Sequence, residues 1–102
     1  MIHVLATIEL SPGRRDAFLA EFRPLVPLVL GEDGCLEYGA AVDLATDLAV
    51  QPPARPDVVT IVEKWASVDH LRQHLAAPHM EAYRPRVQDL VTRTTLVILT
   101  PV

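Results

Sequence analysis

Apolar and polar positions along this chain change period several times, and each change marks an element. Residues 2–10, IHVLATIEL, are apolar on both parities, with His3, Thr7 and Glu9 as polar interruptions on one of them. Such a β-branched run predicts a strand covered on both faces. Ser11-Pro12-Gly13 stops it; Ser11 suits a helix N-cap and Pro12 the first helical position. From Asp16 the spacing turns helical through Phe18, Leu19, Phe22, Leu25, Val26 and Val29. Pro24 and Pro27 each remove a backbone donor, so this helix is expected to kink or break near Arg23.

Gly31 and Gly34 bracket a Glu32-Asp33 turn, and residues 35–42 predict a second strand with Leu36, Tyr38, Ala40 and Val42 on one face. Residues 43–57 carry Pro52, Pro53 and Pro56, which forbid regular structure. Residues 58–65, VVTIVEKW, predict a third strand with Val59, Ile61, Glu63 and Trp65 on one parity. Ser67 then caps a helix carrying Val68, Leu71 and Leu75, with Asp69 in its first turn. Pro78 opens another, carrying Met80, Tyr83, Val87, Leu90 and Val91 and disturbed at Pro85, before a fourth strand over residues 94–100.

The order β-α-β-β-α-α-β predicts one α+β domain over residues 1–102. It is the ferredoxin-like split βαβ arrangement, a four-stranded antiparallel sheet with helices on one face. The other face needs a cover, and a second copy of the same sheet would supply it, so a homodimer is expected.

Composition narrows the function. Half of the 102 residues are apolar, and a domain this small leaves much of its surface in water, which again favours an oligomer. Net charge is −4, with no basic stripe, so nucleic acid is not an expected partner. No apolar stretch reaches the length of a membrane span, and residues 2–8 lack the features of an export signal. Cys35, the only cysteine, excludes an intramolecular disulfide and fits a reducing cytoplasm; it reads as a small buried hydrophobe.

Candidate chemistry gathers at the end of the third strand and the junction of the last two helices. Trp65 is either a pocket wall that donates its indole N–H or a core aromatic. Glu63, on the same parity, is either a base with a raised pKa or a paired structural acid. His70 and His74 stand four apart, a spacing that can bind metal, but no Cys or acidic cluster adjoins them, so no metal is expected. His74 sits at the edge of the apolar stripe, where it either accepts a proton from a cavity or is a satisfied, partly buried histidine. His79 follows Pro78 at a helix start, where a neutral imidazole would cap or position substrate. Tyr38 and Tyr83 line a pocket or belong to the core, while Arg84 and Arg86 hold an anion or form a solvated face. No phosphate loop, nucleophile elbow or CxxC is present, so no cofactor is expected.

These pieces together resemble a known family. SPGRRDAFL after the first strand, Gly34-Cys35-Leu36-Glu37-Tyr38, Glu63-Lys64-Trp65, and His74-Leu75 followed by Pro78-His79-Met80 occur in the family's order. They are similar to the matching segments of antibiotic-biosynthesis-monooxygenase-like, quinol-monooxygenase-like dimeric α+β barrels. The resemblance implies a homodimer with a pocket between sheet and helices. It also implies oxidation of a phenol- or quinol-type aromatic by dioxygen without metal or flavin, with His74 as base and Trp65 as pocket donor and wall. Glu63 joins these as a catalytic candidate, and His79, Tyr83 and Tyr38 are the substrate-binding candidates. Haem-degrading relatives carry an Asn, a Trp and a His at the positions of Ala6, His74 and Arg84, so the resemblance does not extend to haem. An isomerase of a small phosphorylated or carbonyl metabolite and a non-catalytic small-molecule-binding or stress-response dimer are the alternatives. The 43–57 loop is longer than in shorter members and is expected to pack over the pocket mouth or across the dimer partner. A change of His74 to Ala is expected to lower activity without large loss of stability.

Overall fold

A computed structural model describes all 102 residues. The chain runs β1 (Ile2–Leu10), α1 (Arg15–Phe22), a 3-10 turn (Arg23–Leu25), α2 (Val26–Leu30), β2 (Cys35–Ala41), β3 (Val58–Trp65), α3 (Val68–Leu75), α4 (Pro78–Val87) and β4 (Val91–Leu99). All strand pairs are antiparallel, in the order β2-β3-β1-β4. This is the α+β, ferredoxin-like fold expected from the pattern, with the helices on one face.

Registry decides which residues meet the helices. Tyr38 pairs with Glu63, Glu63 with Val4, and Val4 with Ile98, so these four form one row across the sheet. Neighbouring rows on the same face carry Ala6, Ile61 and Leu96, and Ile8, Val59 and Thr94. Val4, Val59 and Trp65 are fully buried there against Phe18, Phe22 and Val29 of α1 and α2. The opposite face carries His3, Leu5, Thr7, Thr60, Val62, Lys64, Val97 and Leu99, and no element of the chain covers it.

Several boundaries differ from expectation. Ser11 does not cap α1: Gly13 takes φ +77° and its N–H donates to Asp57 Oδ1 at 2.9 Å, so residues 11–14 form a turn and α1 starts at Arg15. The prolines break the first helix where expected, at the 3-10 turn that begins with Arg23. In β2, Cys35 pairs with Trp65 and Glu37 with Lys64, which leaves Leu36 as the extra residue of a bulge. Leu36 is therefore 57% exposed rather than sharing the Tyr38 face. At the other end, α4 passes through Pro85 but stops at Val87. Val91, assigned to that helix by spacing, instead pairs with Leu10 and opens β4. A short apolar run fits either period, and here the ladder to β1 wins.

The 43–57 loop does not pack over the cavity described below, none of whose lining residues comes from it. It is tied to the start of α1 instead. Asp43 accepts from the Arg55 backbone N–H at 2.9 Å and from its guanidinium at 2.8 and 3.1 Å, and the Arg55 carbonyl accepts from Arg15. These bonds hold the loop at the opposite end of the sheet from Trp65, beside Leu10 and Asp57.

Candidate active site

A cavity of about 400 Å³ lies between the sheet and the helices. Its floor is the row residues Ala6, Ile8, Ile61, Glu63, Tyr38 and Leu96. Phe18 and Phe22 of α1, His74 of α3, and Met80, Tyr83 and Val87 of α4 close it from above. The mouth passes exposed Leu75, Arg84, Gln88, Thr94 and Leu96. Twelve of the 17 lining residues are apolar, and Arg84 is the single cation. Such a wall, with a few convergent polar groups, suits a largely apolar ligand.

His74 is 2% exposed. The spacing of α3 turns Leu71 and His74 toward the sheet, and Ser67 caps the helix by accepting the His70 N–H. The imidazole lies 4.7 Å from the Trp65 ring and meets Tyr38 edge-on at 5.5 Å. Its Nδ1 is 2.8 Å from Glu32 Oε2. No buried side-chain polar atom lacks a partner. Nε2 has none from the protein, so it is open to the cavity that His74 lines. Burial lowers the His74 pKa, and the Glu32 carboxylate offsets part of that shift. The ring is thus neutral near pH 7, and Nδ1 donates its hydrogen to Glu32.

Glu63 is buried beneath the same cavity. Its Oε1 accepts the Trp65 indole N–H at 2.8 Å. Burial pushes its pKa up to about 7, against the lowering effect of that hydrogen bond and with a further push from the Glu32 charge. Both protonation states are therefore accessible near neutrality. Trp65 is not the pocket donor that the sequence suggested. Its N–H is spent on Glu63 and its ring backs His74 from outside the lining. Tyr38 and Tyr83 do line the cavity, and burial raises both hydroxyls above their usual range, so both remain donors.

His79 lies outside the lining. Its Nε2 is 2.7 Å from the same Glu32 oxygen that holds His74. His70, which spacing had paired with His74, turns away to Ser67 Oγ at 2.7 Å and Asp33 at 3.3 Å. The residue that sequence reasoning missed is Glu32. It sits in a Gly-bracketed turn that reads as solvent-exposed, and only the fold sets it between α3 and α4. The bracketing Gly31 and Gly34 mark the turn in the sequence but not what packs over it. Glu32, His74 and His79 offer ligand atoms that all lie within 4.8 Å of one another. Arg84 donates to the Leu75 carbonyl across the helix junction.

Comparison with known proteins agrees with this fold. Over 103 residues, 99% of this chain and 98% of the relative, the sequence is 41% identical to the "Probable quinol monooxygenase YgiN" of Escherichia coli K12. A solved structure described as an antibiotic biosynthesis monooxygenase superposes with a TM-score of 0.81 at 25% identity, covering 100% of this chain and 99% of that one. A conserved protein from Methanosarcina mazei Go1 shares the fold, with a TM-score of 0.82 at 24% identity over 99% of this chain and 92% of its own. The family model for antibiotic biosynthesis monooxygenase matches residues 1–86, and the chain belongs to that family.

Proposed function

We propose that this protein is a cofactor-independent monooxygenase that oxidises a phenol- or quinol-type aromatic with dioxygen, working as a homodimer. The observation that carries the reading is His74: a buried imidazole that lines an apolar cavity, with Nδ1 held by Glu32 and no protein partner on Nε2. An electron-rich phenolate can itself pass an electron to dioxygen. The protein then has to take the phenolic proton, hold the anion and exclude water. In this scheme His74 Nε2 takes the proton and Glu32 steadies the imidazolium that results. Tyr38 and Tyr83 offer hydroxyl donors to substrate oxygen. One oxygen atom enters the ring, the second leaves as water, and Glu63 near its midpoint can deliver the proton that this loss consumes. Trp65 and His79 act through Glu63 and Glu32 as positioning residues. The apolar lining favours an aromatic ring over a phosphorylated substrate, for which Arg84 at the mouth is the only cation.

The test is dioxygen uptake by the metal-stripped protein with a panel of naphthols and reduced quinones. The expected result is saturable uptake that falls by about 10²–10⁴ in His74→Asn, which keeps an N–H near the Nδ1 position but has no base. Alanine is a poorer probe than the sequence implied. A side chain only 2% exposed and packed on Trp65 leaves a cavity when truncated, so His74→Ala is expected to cost stability as well. No uptake across the panel, or equal uptake in His74→Asn, overturns the reading.

A further inference from the structure

We infer that Glu32, His74 and His79 form a binding site for a divalent first-row transition ion, and that the ion, once bound, switches off the cavity-facing nitrogen of His74. The donor set is two imidazole nitrogens and one carboxylate oxygen. This is the combination that zinc takes with three protein ligands and one open position. His74 Nδ1 and His79 Nε2 already point at one oxygen, Glu32 Oε2, from 2.8 and 2.7 Å. The three ligand atoms all lie within 4.8 Å of one another. Bonds of about 2.0–2.2 Å would place tetrahedral donors about 3.3 Å apart. The nitrogens thus need to retreat from the oxygen by about 0.5 and 0.6 Å, and to close on each other from a separation of no more than 4.8 Å.

Three separate elements supply these donors: the turn after α2, the last turn of α3 and the first turn of α4. Their side chains are 13%, 2% and 23% exposed, for Glu32, His74 and His79 respectively. The site is therefore largely enclosed but not sealed. His79 also borders a second small cavity, of about 110 Å³, with Pro24, Leu28 and Arg86. Such a site takes its histidines as neutral imidazoles.

Occupancy has a chemical consequence. In the hydrogen-bonded state the His74 hydrogen sits on Nδ1 and the lone pair on Nε2 faces the cavity. Coordination through Nδ1 moves that hydrogen to Nε2. The ring then presents a donor where a base is needed. The binding site stands apart from the oxygenase reading; the effect on turnover rests on it.

Zinc titration of the metal-stripped full chain by calorimetry tests the site. One ion per chain is expected, with affinity reduced at least about tenfold in both Glu32→Gln and His79→Gln, since even an outer partner of a metal ligand is worth about 10–100-fold. His70→Ala, which removes the separate His70–Asp33 pair, should leave affinity unchanged. No binding, or wild-type affinity in Glu32→Gln or in His79→Gln, overturns the site. Imidazole 15N shifts of His74 read the tautomer directly, whatever the reaction is: zinc should place the hydrogen on Nε2. If zinc binds at these residues and the tautomer does not change, the switch is wrong and the site stands. Dioxygen uptake that a chelator restores would extend the switch to catalysis.

Discussion

The Nδ1 of His74 lies 2.8 Å from Oε2 of Glu32, a residue on the far side of β2 and β3 in the chain, and this contact decides which end of the imidazole meets the cavity. A carboxylate there holds the hydrogen on Nδ1 and raises the basicity of Nε2. Glu32→Gln removes the charge that lifts the His74 pKa. The ring then loses its proton at lower pH, so the acidic limb of the pH–rate profile should move to lower pH while the maximal rate falls. An amide also accepts from Nδ1–H, so the fold should survive. Rate profiles of the two proteins on one substrate check this, and a limb that stays in place would separate Glu32 from the base.

Glu63 gives a second, non-kinetic handle. Its pKa is raised by burial from 4.5 to about 7 in the folded protein. Between those values the folded state holds a proton that the unfolded chain has released. Stability from this group is therefore complete below about pH 4.5, declines as pH rises, and is lost above about pH 7. Glu63→Gln keeps an acceptor for the Trp65 indole and cannot ionise. Relative to wild type the variant should thus gain stability as pH rises from 4.5 to 7, by up to about 3 kcal/mol. Denaturant unfolding at pH 4.5 and pH 8 measures the difference. A constant offset between the two proteins would mean that Glu63 titrates normally.

The existence and order of the four strands, the proline break at Arg23 and the helical-face position of His74 are legible in the sequence, because period and proline chemistry are local. The 43–57 loop could be recognised as irregular, but its location could not. Asp43 and Arg55 are paired by a chain reversal that spacing does not encode. Leu36 and Val91 were misplaced for related reasons: a bulge shifts parity by one, and a ladder partner can claim residues at a helix end. The site was half visible. Glu63, Trp65 and His74 sit on elements with clear faces. Glu32 lies in a turn, and its meaning comes only from the packing of α3 and α4 over it. The Trp65 hydrogen bond to Glu63 is local in sequence, yet whether the indole would point at its neighbour or at a ligand is a rotamer choice set by His74 packed on it.

The loop's tether makes a prediction about independence. The Arg55 guanidinium beside Asp43 holds its carboxyl down to about 2, so the pair is charged across ordinary pH. Asp43→Asn weakens both the side-chain and the backbone bonds to Arg55. Protease nicking within residues 43–57 should become faster, with turnover unchanged because the loop contributes nothing to the cavity wall. A large loss of turnover in Asp43→Asn would instead tie the loop to the site, through a partner subunit or a motion.

The uncovered sheet face bears on the site more closely than the loop does. Val62, Leu5 and Val97 lie in one row across it, and Leu99 follows on β4. Val97 and Leu99 are 45% and 44% exposed, while Leu96 between these rows faces the cavity at its mouth. The strand that walls the cavity is thus backed by an apolar surface that the chain itself leaves in water, a surface suited to a second copy. Val97→Lys places a charge in the middle of this row without touching the cavity lining. Wild type is expected to sediment at twice the 11.2 kDa chain mass and the variant at the chain mass. Because β4 then loses its backing, turnover by the monomeric variant should fall although His74, Glu32 and Glu63 are intact. Wild type at the single-chain mass would remove the homodimer from the proposal. A monomeric variant with full turnover would show that β4 holds the mouth unaided.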